Sequence, residues 1–316
     1  GSLKKGGNNL RLFFAPSFLK GYFLRFLFIQ LFFPVFSFVK RSNTVISPTP
    51  LFPILCCRKN LITIHDCAYD RFPEETSFSR RKIIKILYFL AKYFSRFIVT
   101  VSEFSKRELG TLHNIKNDKI KVVYNILPSC KFDDSIEESE KYGGKYFVAV
   151  GLGRYRKNLR RLLQAFALFS QKFSDYQLVI LGRLDKRFWD IDKELKDNNI
   201  RNKVIIEGFV SIDNKYKILS KANALVIPSI YEGFGIPILE AQKLSVPVLA
   251  ANVSAIPEVA GRGAYYFDPF SVDSIYNCMI KFVGSSNVAE KIKEGHVNIE
   301  RFDGDKIANE YSLLLK

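Results

Sequence analysis

Acidic residues are absent from the first fifth of the chain. Between Gly1 and His65 there is no Asp or Glu, whereas the same stretch carries nine Lys and Arg residues and many Phe residues. Over all 316 residues, Lys and Arg number 48 against 31 Asp and Glu, which gives a formal net charge of +17. A basic, aromatic and acid-free composition indicates a surface that meets an anionic partner.

Cysteine is also scarce, and its pattern excludes two kinds of small cross-linked protein. The five cysteines are odd in number and contain no Cys-x-x-Cys pair, so neither a disulfide framework nor a zinc site is predicted. A reducing setting is the simplest one, and we expect a cytoplasmic protein. Hydrophobic residues make up 47% of the chain, which excludes a disordered protein and is enough for two buried cores.

Long hydrophobic runs are missing from the acid-free stretch. Its most apolar uncharged run, residues 26–39, is shorter than the ~20 apolar residues of a transmembrane helix and contains Pro34. A nucleic-acid-binding surface would suit the charge, but no helix-turn-helix, zinc-finger or RNA-binding signature accompanies it. A surface that lies against anionic lipid suits both the charge and the Phe residues, and the sequence favours it. Buried helices with basic, solvated faces are the alternative.

Periodicity predicts an α/β protein with two domains. Apolar residues at helical spacing predict a helix over residues 80–97 with Ile83, Leu87, Leu90 and Phe94 on its buried face. Short β-branched runs predict strands at 61–64, 97–101 and 121–124. An acid-rich stretch then predicts a linker at 136–145 between an N-terminal domain, 3–135, and a C-terminal domain, 146–303. A final helix, 304–316, is expected to pack back toward the N-terminal domain.

The second half alternates strands and helices more regularly. Strands are predicted at 146–150, 177–181, 203–207, 224–228 and 246–250, and helices at 159–173, 213–220 and 237–244. This alternation is typical of a parallel sheet that is covered by helices. Two Rossmann-like domains joined by a linker form a cleft, and ligands of such sheets bind at the carboxyl ends of the strands.

A basic loop with two glycines follows the first predicted strand of the second half. Gly151 and Gly153 allow the backbone to approach a ligand, and the helix that follows presents an N-terminus, which favours a phosphate. Arg156 and Lys157 add positive charge where the helix dipole alone would disfavour it, and a bound nucleotide diphosphate would resolve that conflict. The glycine spacing is not G-x-G-x-x-G, so a nicotinamide cofactor is not indicated. A merely basic loop in a basic protein is the alternative.

Two glutamates frame a second loop. A helix is predicted to begin near Pro237, so Glu232 lies in the loop and Glu240 lies about one turn into the helix. Gly233 and Gly235 allow a turn that points backbone amides at a ligand. We therefore expect both glutamates to face one cleft, with distinct roles.

The chain resembles a known family at several such segments. The loop with Glu232 and Glu240 resembles the E-x7-E signature of the family 4 retaining glycosyltransferases, whose fold is called GT-B. Further segments resemble the family's motifs in order and spacing: Ile64-His65-Asp66 with Pro73-Glu74, residues 101–106, Val123-Tyr124-Asn125, Arg156-Lys157-Asn158, residues 207–210 and residues 254–261. The resemblance extends over residues 62–268, and the E-x7-E segment with Arg-Lys-Asn upstream is its most specific part.

The resemblance implies a role for each matching residue. Lys157 and Arg156 would contact the donor's diphosphate, Glu240 would bind the ribose hydroxyls, and Glu232 would hold the donor sugar without acting as a named nucleophile. The implied catalytic residues are Glu232, Lys157 and His65, the last of which would line the cleft from the first domain. The implied donor-binding residues are Arg156, Gly153, Phe209, Val210, Gly233, Phe234, Gly235 and Glu240, with Phe209 and Val210 beside the base. No bound metal is implied, and Glu258 is expected to cap a local loop.

The resemblance further implies an enzyme that transfers a sugar from a nucleotide-sugar donor, with retention of anomeric configuration. GDP-mannose is the leading donor, and UDP-sugars stand close behind it. The acceptor is expected to be a glycan, lipid-linked at the inner face of a bacterial membrane, in surface-polysaccharide (O-antigen) synthesis. The family's opening strand has no counterpart before Lys4, so the first domain is expected to be shortened.

Other interpretations stay open at this point. The chain can be a catalytically weak partner subunit that binds a nucleotide sugar or a membrane and serves another transferase. It can also be a sugar phosphorylase or a nucleotide-sugar epimerase with the same fold. A nucleic-acid-binding protein is the most distant alternative. Salt-sensitive binding to arbitrary DNA would be expected from the charge alone and would not support it.

Overall fold

A computed structural model describes residues 22–39, 44–54, 60–127, 142 and 144–315. These residues form two α/β units, each built on a parallel sheet. The side chains of the nine basic residues in the acid-free stretch and the acid-rich part of the predicted linker lie outside the described residues. The domain boundaries given above therefore stay a prediction.

The first unit is a four-stranded sheet with its helices. The strands are β1 (Val45–Ser47), β2 (Asn60–Thr63), β3 (Phe97–Thr100) and β4 (Ile120–Val122), in the spatial order β1-β2-β3-β4 and all parallel. The helices are α1 (Tyr22–Val39), α2 (Ala68–Arg71), α3 (Phe78–Phe94) and α4 (Glu103–His113). The core lies between the sheet and helices α3 and α4, where Ile62, Ile98 and Leu109 are fully buried.

The second unit is a six-stranded sheet. Its strands are β5 (Lys145–Val150), β6 (Tyr176–Leu181), β7 (Val204–Gly208), β8 (Ala224–Ile227), β9 (Val248–Ala251) and β10 (Ala264–Phe267). Its helices are α5 (Leu159–Lys172), α6 (Ile191–Asp197), α7 (Ile212–Ser220), α8 (Ile236–Lys243), α9 (Ile256–Ala260), α10 (Val272–Val283) and α11 (Val288–Ile299). Every residue of β8 and β9 is buried, because helices cover both faces of the sheet.

The strand order of the second unit fixes where a ligand can bind. The order is β10-β9-β8-β5-β6-β7, with parallel pairing throughout. The chain therefore runs from β5 toward one edge of the sheet, returns to β8 on the other side of β5, and continues to the opposite edge. Strands β5 and β8 are neighbours, and from their carboxyl ends the chain continues toward opposite edges of the sheet. Open α/β sheets bind ligands at such a point.

Most predicted elements are confirmed. The eight predicted strands match observed strands to within two residues at each end, and the helices predicted in the second half match α5, α7 and α8. Strands β1 and β10 were not predicted.

The predicted buried face of α3 is wrong. The buried residues are Ile84, Leu87, Tyr88 and Ala91, so only Leu87 belongs to the expected set, and Ile83 and Phe94 are exposed. Two properties select the observed face. The small Ala91 lets the helix approach the sheet, and the hydroxyl of Tyr88 donates to the carbonyl of Asp66 at 3.0 Å. Periodicity cannot separate the two faces because α3 carries apolar residues all round.

Hydrogen bonds and apolar contacts join the two units. The carboxylate of Glu258, at α9, accepts hydrogen bonds from the backbone N–H groups of Glu103 and Phe104 at 2.7 and 3.1 Å. Glu258 therefore caps the N-terminus of α4 in the first unit, where negative charge is favourable. The prediction that Glu258 caps a local loop is wrong. After α11, helix α12 (Gly304–Leu315) returns to the first unit, and its Ile307 packs with Val99 of β3.

Candidate functional site

The two motif loops of the second unit lie side by side at the β5–β8 junction. The backbone N–H of Ile230 donates to the carbonyl of Arg156 at 2.8 Å, which joins the loop after β8 to the loop after β5. The buried Asn158 donates from its amide to the carbonyls of Pro228 and Pro269 at 3.0 and 2.7 Å. Asn158 has a φ of 61°, in the left-handed region that Asn tolerates, and it starts α5. These bonds join residues at least 70 positions apart in the sequence, and the two loops, residues 151–158 and 228–235, together form a platform.

Lys157 and Glu232 form an ion pair at the centre of this platform. The Lys157 ammonium donates to Oε1 of Glu232, which also accepts from the hydroxyl of Ser229 at 2.8 Å. Burial would raise the pKa of Glu232, but the positive charge of Lys157 and the two hydrogen bonds outweigh it and lower the pKa below its usual value. Glu232 is therefore ionised at neutral pH. Its carboxylate can bind a cation or accept hydrogen bonds from hydroxyl groups, but it has no proton to donate.

The glycine turn between Glu232 and α8 is shaped by close packing. Gly235 has a φ of 110°, which only glycine adopts readily, and it precedes the first residue of α8. The carbonyl of Gly233 accepts from the hydroxyl of Ser102 in the first unit at 2.8 Å. The side chain of Phe234 is buried between the units with Phe302, so only the backbone of Phe234 can reach a ligand.

Glu240 lies on α8 as predicted and is almost fully buried. Its Oε1 accepts from the ammonium of Lys215 at 2.6 Å and from the hydroxyl of Tyr216 at 3.0 Å. Its Oε2 is buried and has no hydrogen-bond partner among the described residues. A buried carboxylate oxygen without a donor is costly, so this atom is suited to accept hydrogen bonds from a bound molecule.

Arg156 and Gly153 are fixed by their neighbours. Oε1 of Glu75, in the first unit, accepts from the backbone N–H of Arg156 at 2.9 Å, and Oε2 accepts from its guanidinium. A Cβ on Gly153 would lie 2.4 Å from the carbonyl oxygen of Arg183. The backbone of the loop after β6 therefore leaves room only for glycine at this position, independently of any ligand.

The remaining predicted residues follow strands β2 and β7. His65 follows β2, its side chain is exposed, and its Nε2 lies 3.2 Å from the carbonyl oxygen of Pro48. Phe209 and Val210 follow the edge strand β7; Phe209 is 80% exposed, whereas Val210 packs against the core of the second unit.

Sequence reasoning missed the residues through which the units meet. Glu75 directly follows the recognised Pro73-Glu74 pair, but Glu74 is exposed and Glu75 is the buried partner of Arg156. Tyr231, between Ser229 and Glu232, accepts from the backbone N–H of Cys67 in the first unit at 3.0 Å. Both residues lie next to recognised motifs, and that proximity is the only signal that the sequence gives of their roles.

The pairing of Lys157 with Glu232 predicts a pH-dependent effect on stability. In the native protein the lowered pKa of Glu232 contributes stability above its pKa in the unfolded chain, and this is lost as the pH falls. In Lys157→Met, burial raises the pKa of Glu232 instead, so the variant loses stability as the pH rises. We expect a loss of about 3 kcal/mol at pH 8 and a smaller one at pH 5.

Thermal unfolding midpoints at both pH values measure this effect. The double variant Lys157→Met/Glu232→Gln is the control, because it removes the unpaired charge. We expect it to recover most of the loss in the unfolding midpoint that Lys157→Met shows at pH 8. An equal loss at both pH values, unchanged in the double variant, would contradict the assignment.

Known proteins that are similar to the chain share this site's part of the sequence. The sequence pattern of a family described as "Glycosyl transferases group 1" matches residues 131–296, a range that includes the platform. The chain is 32% identical over 232 residues to the O-antigen chain mannosyltransferase RfbU of Salmonella typhimurium, which covers 73% of this chain and 63% of RfbU. It is 32% identical over 224 residues to the O-antigen chain mannosyltransferase B of Escherichia coli, covering 67% of this chain and 58% of that protein.

Solved structures agree on the fold. A structure of Anabaena HepE in complex with UDP and glucose superposes with a TM-score of 0.73 at 17% identity, covering 89% of this chain and 79% of HepE. WaaG, a glycosyltransferase involved in lipopolysaccharide biosynthesis, superposes with a TM-score of 0.62 at 15% identity, covering 85% of this chain and 76% of WaaG. The chain spans about three fifths of the length of the two O-antigen mannosyltransferases.

Proposed function

Because the chain belongs to the glycosyl transferases group 1 family and has the GT-B fold, we propose that it transfers a hexose from a nucleotide-sugar donor to a glycan acceptor with retention of configuration. The observation that carries the proposal is the platform at the β5–β8 junction, where Lys157, Glu232 and the glycine turn converge. Cations and backbone amides at the carboxyl ends of parallel strands suit a diphosphate.

Each group of the platform is assigned to a part of the donor. Lys157 and Arg156 bind the diphosphate, and they stabilise the negative charge that develops on it as the sugar–phosphate bond breaks. The amides of the glycine turn bind the phosphates and the sugar. Oε2 of Glu240, which lacks a partner among the described residues, accepts a ribose hydroxyl. The exposed ring of Phe209 lies beside the base.

Retention is proposed to proceed without an enzymic nucleophile and without a metal ion. The Glu232 carboxylate is paired with Lys157 and Ser229, so its charge is used to hold the cation and the donor sugar. The bond between the anomeric carbon and the phosphate oxygen breaks, and the acceptor hydroxyl oxygen bonds to that carbon on the face from which the phosphate departs. The departing phosphate oxygen takes the proton of the acceptor hydroxyl. The two cations supply the charge stabilisation that a divalent metal ion provides in other phosphate-transferring sites.

The donor is proposed to be GDP-mannose. The support is the likeness to two O-antigen chain mannosyltransferases at 32% identity. A UDP-sugar is the competing donor, because the HepE structure contains UDP and glucose. Radiolabelled GDP-mannose and UDP-glucose, each offered with a bacterial lipid extract, distinguish them by the label that enters the lipid fraction. Nuclear magnetic resonance of the product then gives its anomeric configuration.

The outcomes of that experiment are distinct. Label transferred from GDP-mannose with an α-linkage supports the full proposal. Label transferred from UDP-glucose supports the proposal that the protein is a glycosyltransferase and contradicts the proposal that GDP-mannose is its donor. Binding of a donor without transfer of its sugar to any acceptor contradicts the proposed enzymatic activity. It favours a partner subunit that serves another transferase.

The acceptor is proposed to be lipid-linked, with the protein resting on an anionic membrane surface at the cytoplasmic face. Phe78, Ile86, Phe89 and Tyr93 are more than half exposed along one side of α3, and they lie at helical spacing. Lys82 lies among them, with its ammonium 4.5 Å from the centre of the Phe78 ring. Apolar side chains among basic ones are typical of helices that bind the surface of an anionic bilayer. None of the helices that the structure describes is long and apolar enough to span a bilayer.

Vesicle flotation tests the membrane surface. We expect Ile86→Asp/Phe89→Asp to lower the fraction bound to phosphatidylglycerol vesicles about tenfold, because two apolar side chains are lost and two negative charges are added. The matched control is Val297→Asp/Leu168→Asp, which adds the same charge at exposed apolar positions of the second unit. Equal binding by both variants, or no binding by the wild-type protein, would contradict this assignment.

A further inference from the structure

Glu75 joins the first unit to the loop that carries Lys157. It lies in a single helical turn, Pro73–Glu75, and its side chain is fully buried. Its carboxylate binds both the backbone N–H and the guanidinium of Arg156, and its carbonyl oxygen accepts from Nη1 of Arg154 at 2.9 Å. One residue of the first unit therefore holds the loop just before Lys157 at three points.

Burying a carboxylate in this way is unfavourable unless it is fully paired. Removal of a charge from water is unfavourable, and hydrogen bonds to the partner must offset it. Both oxygens of Glu75 accept a hydrogen bond, and both bonds come from Arg156. Stability alone is a weak reason for an ionic pair where an apolar contact would serve.

Arg156 retains donors for a further group. One terminal nitrogen of its guanidinium binds Glu75, but the buried Nε has no hydrogen-bond partner among the described residues. A guanidinium is planar and rigid, so a carboxylate that fixes one nitrogen also fixes the direction of the others. A phosphate oxygen is a good partner for the remaining donors.

We propose that Glu75 is a positioning residue of the donor site: it orients Arg156 across the domain interface, so that the diphosphate site is complete only when the two units are closed. This inference rests on the proposed function. The two cations assigned to the site, Lys157 and Arg156, both belong to the second unit, and the first unit contributes the carboxylate that binds Arg156. Donor affinity therefore depends on closure, without any contact between Glu75 and the donor.

Other contacts across the interface act in the same direction. The hydroxyl of Ser102 holds the carbonyl of Gly233, which fixes the glycine turn from the first unit. The hydroxyl of Tyr231, beside Glu232, accepts from the backbone of Cys67. Each loop of the platform is thus held by at least one residue of the first unit.

Calorimetric titration tests the inference with Glu75→Gln, using GDP-mannose and inorganic pyrophosphate as probes. The glutamine keeps an oxygen that can accept from the Arg156 amide, but it lacks the charge that holds the guanidinium. We expect the dissociation constants of both probes to rise about tenfold and the KM for the donor to rise more than kcat falls. The matched control is Glu74→Gln, which removes the same charge from the exposed neighbour and is expected to change neither constant by more than twofold.

A thermodynamic cycle separates positioning from a general structural role. If Glu75 acts through Arg156, the double variant Glu75→Gln/Arg156→Met binds the probes as weakly as Arg156→Met alone. Additive losses, or an unchanged affinity in Glu75→Gln, would overturn the inference. Tighter binding in Glu75→Gln would also overturn it, because Glu75 would then compete with the donor for Arg156. If the wild-type protein binds neither probe, the proposed function fails, and the inference fails with it.

Discussion

Replacement of Lys157 by Met is expected to lower kcat/KM for sugar transfer about 1,000-fold, the largest effect of any single side chain in the site. The ammonium lies at the centre of the platform, where it is mostly buried and paired with Glu232. A cation in such a place stabilises the charge of the departing diphosphate more strongly than it stabilises the bound donor. The loss is therefore expected mainly in kcat, with a smaller increase in KM.

The control for this variant is Lys172→Met, at the far end of α5, where the lysine is exposed. It removes the same charge and is expected to retain activity within twofold. Steady-state transfer of label from the donor measures both variants. Activity of Lys157→Met within threefold of the wild-type value would contradict the role given to this cation.

Replacement of Gly233 by Ala is expected to have the second largest effect, a loss of about 100-fold in kcat/KM. The added Cβ would lie 2.6 Å from the Cβ of Asp66 and 2.9 Å from the carbonyl oxygen of His65, both in the first unit. Neither neighbour is the free end of a flexible side chain, so the two units must separate to admit the methyl group. Separation would displace the glycine turn from Ser102 and remove Glu75 from Arg156.

Small-angle X-ray scattering and transfer rates together test this second prediction. Gly233→Ala is expected to have a larger radius of gyration than the wild-type protein, with unchanged secondary structure by circular dichroism. Gly304→Ala is the control, because a Cβ there meets nothing within 4 Å. Full activity in Gly233→Ala would show that the closed contact between His65 and the glycine turn is not needed for transfer.

The second unit could be predicted from its sequence because its strands are buried on both faces. Such strands appear as short, continuous apolar runs between helical segments, and β8 is an example in which all four residues are buried. The positions of the platform residues could be predicted for the same reason. Its glycines, Lys157 and Glu232 lie in loops that directly follow predicted strands. The predicted position of Glu240 within α8 is confirmed for the same reason.

The contacts between the units could not be predicted. Glu75, Ser102 and Glu258 act on residues far away in the sequence, and nothing in their local surroundings specifies the partner. The buried face of α3 was missed for a related reason. Its apolar residues surround the helix, so the choice between faces depends on the sheet against which it packs.

Calorimetric titration of the wild-type protein with GDP-mannose, GDP, UDP-glucose and UDP tests most directly the central claim, that the platform at the β5–β8 junction holds a nucleotide sugar through Lys157. We predict saturable binding of one donor and its free nucleotide, with dissociation constants between about 1 μM and 1 mM, and loss of that binding in Lys157→Met. Absence of binding by all four compounds, or equal binding by Lys157→Met, would contradict the claim.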